Sequence, residues 1–100
     1  MNGSRGAPVV LLTGFEPYGG RGINPSAEVA LRLNGVQIGT ATVVGRILPV
    51  SYRFLASEAE RLVEALRPGA VVSMGLWPGE ATIRLERFAV NLADFEIPDN

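Results

Sequence analysis

Carboxylates and hydroxyls are the reactive groups of this chain, because its 100 residues include no histidine and no cysteine. The most unusual carboxylate is Glu86, in the stretch RLERFAVN. If this stretch is a strand, Glu86 lies on the same face as Phe88 and Val90. A carboxylate among apolar side chains costs free energy unless it is paired or has a function. Glu86 therefore either forms an ion pair, with Arg84, Arg87 or a more distant arginine, or it orients a histidine or activates water.

The composition argues against several classes of function. Hydrophobic residues make up 47% and charged residues 19% of the chain, as expected for one globular domain. The formal net charge is −1, and the nine basic residues, all arginine, are spread from Arg5 to Arg87 instead of forming a nucleic-acid-binding patch. No apolar run is long enough for a membrane span, and the N-terminus lacks a signal-peptide core. We expect a cytoplasmic protein without a metal, a cofactor, a nucleic-acid partner or a membrane anchor.

Four segments have the pattern of strands. Residues 8–13 (PVVLLT) form a continuous apolar run, which is typical of a strand that is buried on both faces. Residues 41–48 and 70–75 are similar short apolar runs, and residues 81–92, which contain Glu86, are predicted as a fourth strand.

Two helices separate the first three strands. In NPSAEVALRLNG, Asn24 can cap the helix, Pro25 suits its first position, and Asn34-Gly35 can end it. Ser26, Val29, Ala30 and Leu33 are expected to face inward. In the second helix, Ser51 is the candidate cap and Pro68-Gly69 the stop, and the apolar face is formed by Leu55, Ala59, Leu62, Val63 and Leu66. Alternating strands and helices predict an α/β fold with right-handed crossovers.

The loops that follow the strands are the candidate binding sites, because ligands bind at the carboxyl ends of strands in open α/β sheets. In TGFEPYGG, Phe15 and Tyr18 flank Pro17 and could clamp a small flat ligand; alternatively, they cover an edge of the core. In GLWPGE (75–80), backbone N–H groups could bind a carbonyl or an anion, or the segment could be only a turn. Neither loop has a phosphate-binding glycine motif.

Three stretches together resemble the pyroglutamyl peptidase I family: TGFEPYGGRGINPS, RILPVSY and VVSMGLWPGEATIRLERFAVNLADFEIPDN. The resemblance extends from about Val9 to Asn100. It implies a three-layer α/β/α open twisted sheet, with residues 1–100 as the N-terminal part of a single peptidase domain. It also implies a cytoplasmic, homo-oligomeric cysteine exopeptidase that removes N-terminal pyroglutamate from peptides with a Cys–His–Glu (or Asp) triad and no metal.

The resemblance also implies roles for individual residues. Glu86 matches the acidic member of the triad, and Phe15 and Tyr18 match aromatic positions that hold the pyroglutamyl ring. Leu76 falls where a loop of the family lies against the lactam. Tyr18 stands where phenylalanine is common, Arg84 where a small or polar residue or proline is more common, and Glu96 where arginine is common.

The cysteine and histidine of the family lie beyond the IPDN run, so we expect this chain to be the N-terminal half of such an enzyme and inactive by itself. Two alternatives remain open. The first is a non-catalytic module of the same ancestry that binds lactams or peptides. The second is a different α/β enzyme, such as one with a nucleoside phosphorylase-like fold, whose other half supplies different chemistry.

Overall fold

The described part of the chain is a four-stranded sheet with two helices. The computed structural model describes residues 7–89 and Asn100. The elements are β1 (Val9–Phe15), α1 (Pro25–Leu33), β2 (Gln37–Ile38), β3 (Ala41–Leu48), α2 (Tyr52–Leu66) and β4 (Ala70–Ser73). The strand order is β2-β3-β1-β4. β1 pairs in parallel with both β3 and β4, whereas β2 is antiparallel to β3.

The two helices cover opposite faces of the sheet. On one face, Gly14 of β1 and Gly45 of β3 are so close to α1 that a Cβ atom on either would overlap helix backbone. On the other face, Leu11 and Leu48 form a buried cluster with Leu62 of α2. Because side chains alternate along a strand, Leu11 and Gly14 face opposite sides. The layers are therefore α1, sheet and α2, which confirms the α/β/α prediction.

Helix α1 begins and ends near the residues that the sequence indicates. Asn24 is the N-cap, and its Oδ1 accepts hydrogen bonds from Ser26 N at 3.0 Å and Ser26 Oγ at 2.7 Å. Gly35, with φ 87°, follows the helix in a conformation that favours glycine. The buried residues of the helix are Ser26, Ala27 and Ala30. The predicted inward positions Val29 and Leu33 are instead 41% and 38% exposed.

Helix α2 packs through the predicted apolar face, apart from one residue. Leu62 is buried, and Leu55 and Leu66 pack against the same cluster, but Val63 is 46% exposed. Ser51 occupies the N-cap position without a side-chain capping hydrogen bond. The C-cap is Arg67, in the left-handed region with φ 48°, and its N–H donates to the carbonyl of Val63.

Two features differ from the sequence prediction. Residues 81–89 form no strand, so the predicted strand 81–92 is wrong over its described part; residues 90–92 lie outside the described residues. The alternating pattern gives a strand only where a neighbour completes the hydrogen-bond ladder, and β4 pairs with β1 instead. The short strand β2 was not predicted, and it forms a hairpin with β3 through Gly39 at φ 61°.

No helix in the described part of the chain is long and apolar enough to cross a membrane.

Candidate functional site at the carboxyl ends of β1 and β4

The strand order reverses at β1, and this defines where a ligand crevice is expected. The connection from β1 to β3 carries α1 on one face, and the connection from β3 to β4 carries α2 on the other. β3 and β4 lie on opposite sides of β1. In an open α/β sheet, such a switch point leaves a crevice between the loops that follow the two diverging strands. Here these are the loops after β1 and β4.

The ends of β1 and β4 are joined by side-chain hydrogen bonds as well as by the backbone hydrogen bonds of the sheet. The hydroxyl of Thr13, a buried residue, donates to Ser73 Oγ at 3.0 Å, and Met74 N donates to the carbonyl of Thr13 at 2.8 Å. Beyond the strands, the hydroxyl of Tyr18 donates to the carbonyl of Leu76 at 2.6 Å. Two of the predicted substrate-binding residues, Tyr18 and Leu76, are thus brought into direct contact across the crevice.

Phe15 has a position different from that of Tyr18. It is the last residue of β1, and its half-buried ring packs against the cluster of Leu11, Leu48 and Leu62 on the α2 face. Its N–H donates to the Oγ of Ser26 at 2.9 Å. Phe15 therefore covers an edge of the core. An aromatic clamp with Tyr18 stays a prediction.

Glu86 lies on an open groove beside β4. The groove has a volume of about 870 Å³ and is bounded by the start of α1, by β4 and by residues 74–86. Leu76 and Glu86 both line it, as do the apolar side chains of Val29, Val72 and Trp77. The groove thus joins one predicted substrate-binding residue to the predicted catalytic carboxylate.

The Glu86 carboxylate makes only a weak contact within the described residues. Its side chain is 71% exposed, and its nearest cation is Arg84, whose Nε lies 3.8 Å from Glu86 Oε1. The same arginine approaches Glu80 at 3.6 Å. Exposed ion pairs of this length stabilise a protein little. The ion pair considered from the sequence is therefore present but weak. Because Glu86 is exposed and residues 81–89 form no strand, the carboxylate does not lie on an apolar strand face as the sequence suggested. Glu96 lies outside the described residues.

Glu16 is not among the residues predicted from the sequence, although it lies in the TGFEPYGG motif. Its Oε2 accepts hydrogen bonds from Val50 N and from Asn100 Nδ2, both at 2.8 Å. Its backbone N–H donates to the carbonyl of Leu48 at 3.1 Å, and its carbonyl accepts from Asn24 Nδ2 at 3.2 Å. A carboxylate directly after a buried strand and before a proline was the available signal, since such loop positions often carry function.

Residues 7–89 and Asn100 include no group of three or more His, Cys, Asp or Glu side chains that could hold a metal ion.

The comparisons with known proteins agree with this architecture. A sequence profile described as pyroglutamyl peptidase, of peptidase family C15, matches residues 9–100. The chain therefore belongs to the pyroglutamyl peptidase family. It is 46% identical over 91 residues to the pyrrolidone-carboxylate peptidase of Pyrococcus furiosus, covering 91% of this chain and 44% of that protein. The Thermococcus litoralis enzyme is also 46% identical over 91 residues, covering 91% of this chain and 41% of that protein.

Solved structures lead to the same family. The pyrrolidone carboxyl peptidase of Thermococcus litoralis superimposes with a TM-score of 0.89 at 45% identity, covering 93% of this chain and 42% of that chain. A mutant of the Pyrococcus furiosus enzyme gives a TM-score of 0.89 at 46% identity, covering 92% of this chain and 44% of that chain. The chain thus corresponds to the N-terminal half of the family and spans less than half the length of these relatives.

Proposed function

We propose that this chain is the N-terminal part of a single peptidase domain that hydrolyses the bond after an N-terminal pyroglutamate. Glu86 is the acidic member of a Cys–His–Glu triad, and Phe15, Tyr18 and Leu76 bind the lactam ring. The thiol and the imidazole come from sequence outside these 100 residues, which contain neither group. These residues alone are therefore inactive.

The main support for the proposal is that the candidate residues lie together at the switch point, around the loops that follow β1 and β4. Tyr18 contacts Leu76 across the crevice, and Leu76 and Glu86 line the same groove. Family membership supports the peptidase reaction, because the relatives described above are pyrrolidone-carboxylate peptidases. No observation favours the non-catalytic lactam-binding alternative.

The proposed reaction uses three groups: a thiolate, an imidazolium and a carboxylate. The thiolate attacks the carbonyl carbon that joins pyroglutamate to the next residue, the imidazolium gives its proton to the departing amine, and an acyl-enzyme forms. Water, deprotonated by the imidazole, then attacks the thioester carbonyl carbon, and the departure of the sulfur releases pyroglutamate and regenerates the thiolate and the imidazolium. The Glu86 carboxylate accepts the second imidazole N–H, which fixes the tautomer and stabilises the imidazolium. Since Glu86 is exposed and only weakly bound to Arg84, little free energy is lost when it turns toward an imidazole.

The lactam would be recognised by shape and by backbone polarity. The ring is compact and neutral, so aromatic and aliphatic side chains provide most of its binding surface. The hydroxyl of Tyr18 holds the loop of Leu76 through its carbonyl, so the two sides of the crevice stay at a fixed separation. Phe15 would contribute the part of its ring that the core leaves exposed.

The location and the assembly of the protein are part of the same proposal. A catalytic thiol stays reduced in the cytoplasm, so a cytoplasmic location suits this chemistry. The partners would be N-terminally pyroglutamylated peptides, and we expect a homo-oligomer, either a dimer or a tetramer, which sedimentation analysis of the full-length protein would test.

The test is hydrolysis of a fluorogenic pyroglutamyl amide by the full-length protein, with the matching prolyl amide as the negative substrate. Glu86→Gln should lower kcat by up to about 10⁴-fold, the loss seen when the triad carboxylate of a serine peptidase is neutralised. Glu80→Gln is the matched control, because Glu80 lines the same groove and pairs with the same arginine. If the two variants lower kcat equally, Glu86 is only a partner of Arg84 and its catalytic role is excluded.

A further inference from the structure

The carboxylate of Glu16 joins three separate segments at the sheet end that carries the site. One oxygen, Oε2, accepts from the backbone of Val50, in the β3–α2 connection, and from the side chain of Asn100. Asn100 is also bound to both partner segments, since its Nδ2 donates to the carbonyl of Pro17 at 3.0 Å and its N–H donates to the carbonyl of Val50 at 2.7 Å. Each of the three segments therefore contacts the other two.

The loop after β1 is thereby fixed on both sides. Glu16 hydrogen-bonds this loop to the β3–α2 connection and to Asn100, while Tyr18 hydrogen-bonds it to the loop after β4. Only Pro17 separates the two anchors in the sequence. Hydrogen bonds to a carboxylate are stronger than those between neutral groups, so the Glu16 anchor resists displacement more than an ordinary loop contact.

We propose that Glu16 is a positioning residue that sets substrate affinity by holding Phe15 and Tyr18 in their places at the crevice. This inference rests on the proposed function, because affinity here means affinity for a pyroglutamyl substrate. This role needs no contact of Glu16 with the substrate or with the reacting atoms, because the Glu16 carboxylate is engaged by Val50 and Asn100. Its contribution is to keep the loop in one conformation before the substrate arrives, so that binding does not have to order it.

The experiment compares Glu16→Ala, Glu16→Gln and Glu64→Ala in the full-length protein, using the fluorogenic pyroglutamyl amide. Glu64 is an exposed glutamate of α2 and serves as the matched control. We expect Glu16→Ala to raise KM about tenfold while kcat changes less than about threefold, because ground-state and transition-state binding weaken together. Glu16→Gln keeps one acceptor oxygen and should give an intermediate KM. Hydrogen exchange at the Val50 amide should accelerate in the same order.

A second pair of variants covers the case in which Glu16→Ala does not fold. Asn100→Ala removes the other donor and should raise KM in the same direction, whereas Asn100→Asp places a second carboxylate beside Glu16 and should raise it further. The double variant E16Q/N100D restores a donor–acceptor pair between the two positions and should have a lower KM than Asn100→Asp alone.

The outcomes separate this inference from the proposed function. The positioning role is overturned if the wild type is active and the Glu16 and Asn100 variants have the same KM as Glu64→Ala, even if their Tm is lower. The peptidase assignment would then remain intact. A wild type that hydrolyses no pyroglutamyl amide overturns the proposed function, and the role of Glu16 in substrate affinity with it.

Discussion

Replacement of Gly14 by alanine is predicted to separate α1 from the sheet. A Cβ at this position would overlap the carbonyl oxygen of Ser26 and would lie 2.8 Å from the backbone N of Ala27, whereas real Cβ atoms essentially never come within 3.0 Å of a heavy atom outside their own and adjacent residues. The obstructing atoms are helix backbone, which cannot rotate out of the way as a side chain can. The helix must therefore move away from β1.

The expected loss of stability follows from two contributions. Overpacking of this kind costs about 1–3 kcal/mol. Displacement of α1 also weakens the hydrogen bond from Phe15 N to Ser26 Oγ, now 2.9 Å long, for about 1 kcal/mol more. A total of about 3 kcal/mol lowers the Tm of a domain of 150–250 residues by roughly 6–12 °C.

Thermal unfolding of the full-length protein, followed by circular dichroism, measures this effect. Gly22→Ala is the matched control, since no heavy atom lies within 4 Å of a Cβ built there. Both variants reduce the conformational entropy of the unfolded chain to a similar extent, so the difference between them isolates the packing effect. A Tm for Gly14→Ala within about 2 °C of the control would refute the inference that α1 and β1 are packed backbone to backbone.

Two further substitutions test the polar contacts of the site. Asn24→Ala should lower the free energy of unfolding by about 2 kcal/mol, because it removes the cap of α1 and leaves the carbonyl of Glu16 without this donor. In urea unfolding, Asn24→Asp, which keeps the cap, should be less affected, and an equal loss would contradict the role of the cap. Tyr18→Phe removes the bond to Leu76 and should cost about 1 kcal/mol of stability. Because the ring remains, the KM for the pyroglutamyl amide should rise less than in Tyr18→Ala, and equal KM values would exclude ring binding.

The sequence correctly predicts those helices and strands whose local residue pattern agrees with the way they pack in the fold. The run 8–13, the cap at Asn24 and the apolar face of α2 predict β1, α1 and α2, and all three are present. Apolar periodicity indicates such elements because the same residues that favour the local conformation are also buried by it. The crevice at the carboxyl ends of the strands follows from the same alternation of strands and helices.

The remaining features depend on contacts between distant residues. The alternation around Glu86 indicates a possible strand face, but pairing depends on which neighbour is available, and residues 81–89 form no strand. The inward face of α1 is shifted to Ala27 because Gly14 and Gly45 let the helix approach closely at its small residues. The position of Glu16 after a buried strand could mark it for attention, but its bonding partners could not be predicted, since Asn100 is 84 residues away in the sequence.

The central position of β1 has a consequence for how the polypeptide acquires its structure during synthesis. β1 leaves the ribosome before both of the strands with which it pairs, since Val10 pairs with Val43 of β3 and with Ala70 of β4. Until β3 has emerged, β1 is an apolar segment with both edges open, which is the state most prone to association with other chains. Pairing over such sequence separations is slow because the loop must close first. The early chain should therefore depend on chaperones until α2 and β4 have emerged, and pulse-labelled nascent chains that end before and after β4 would show this difference.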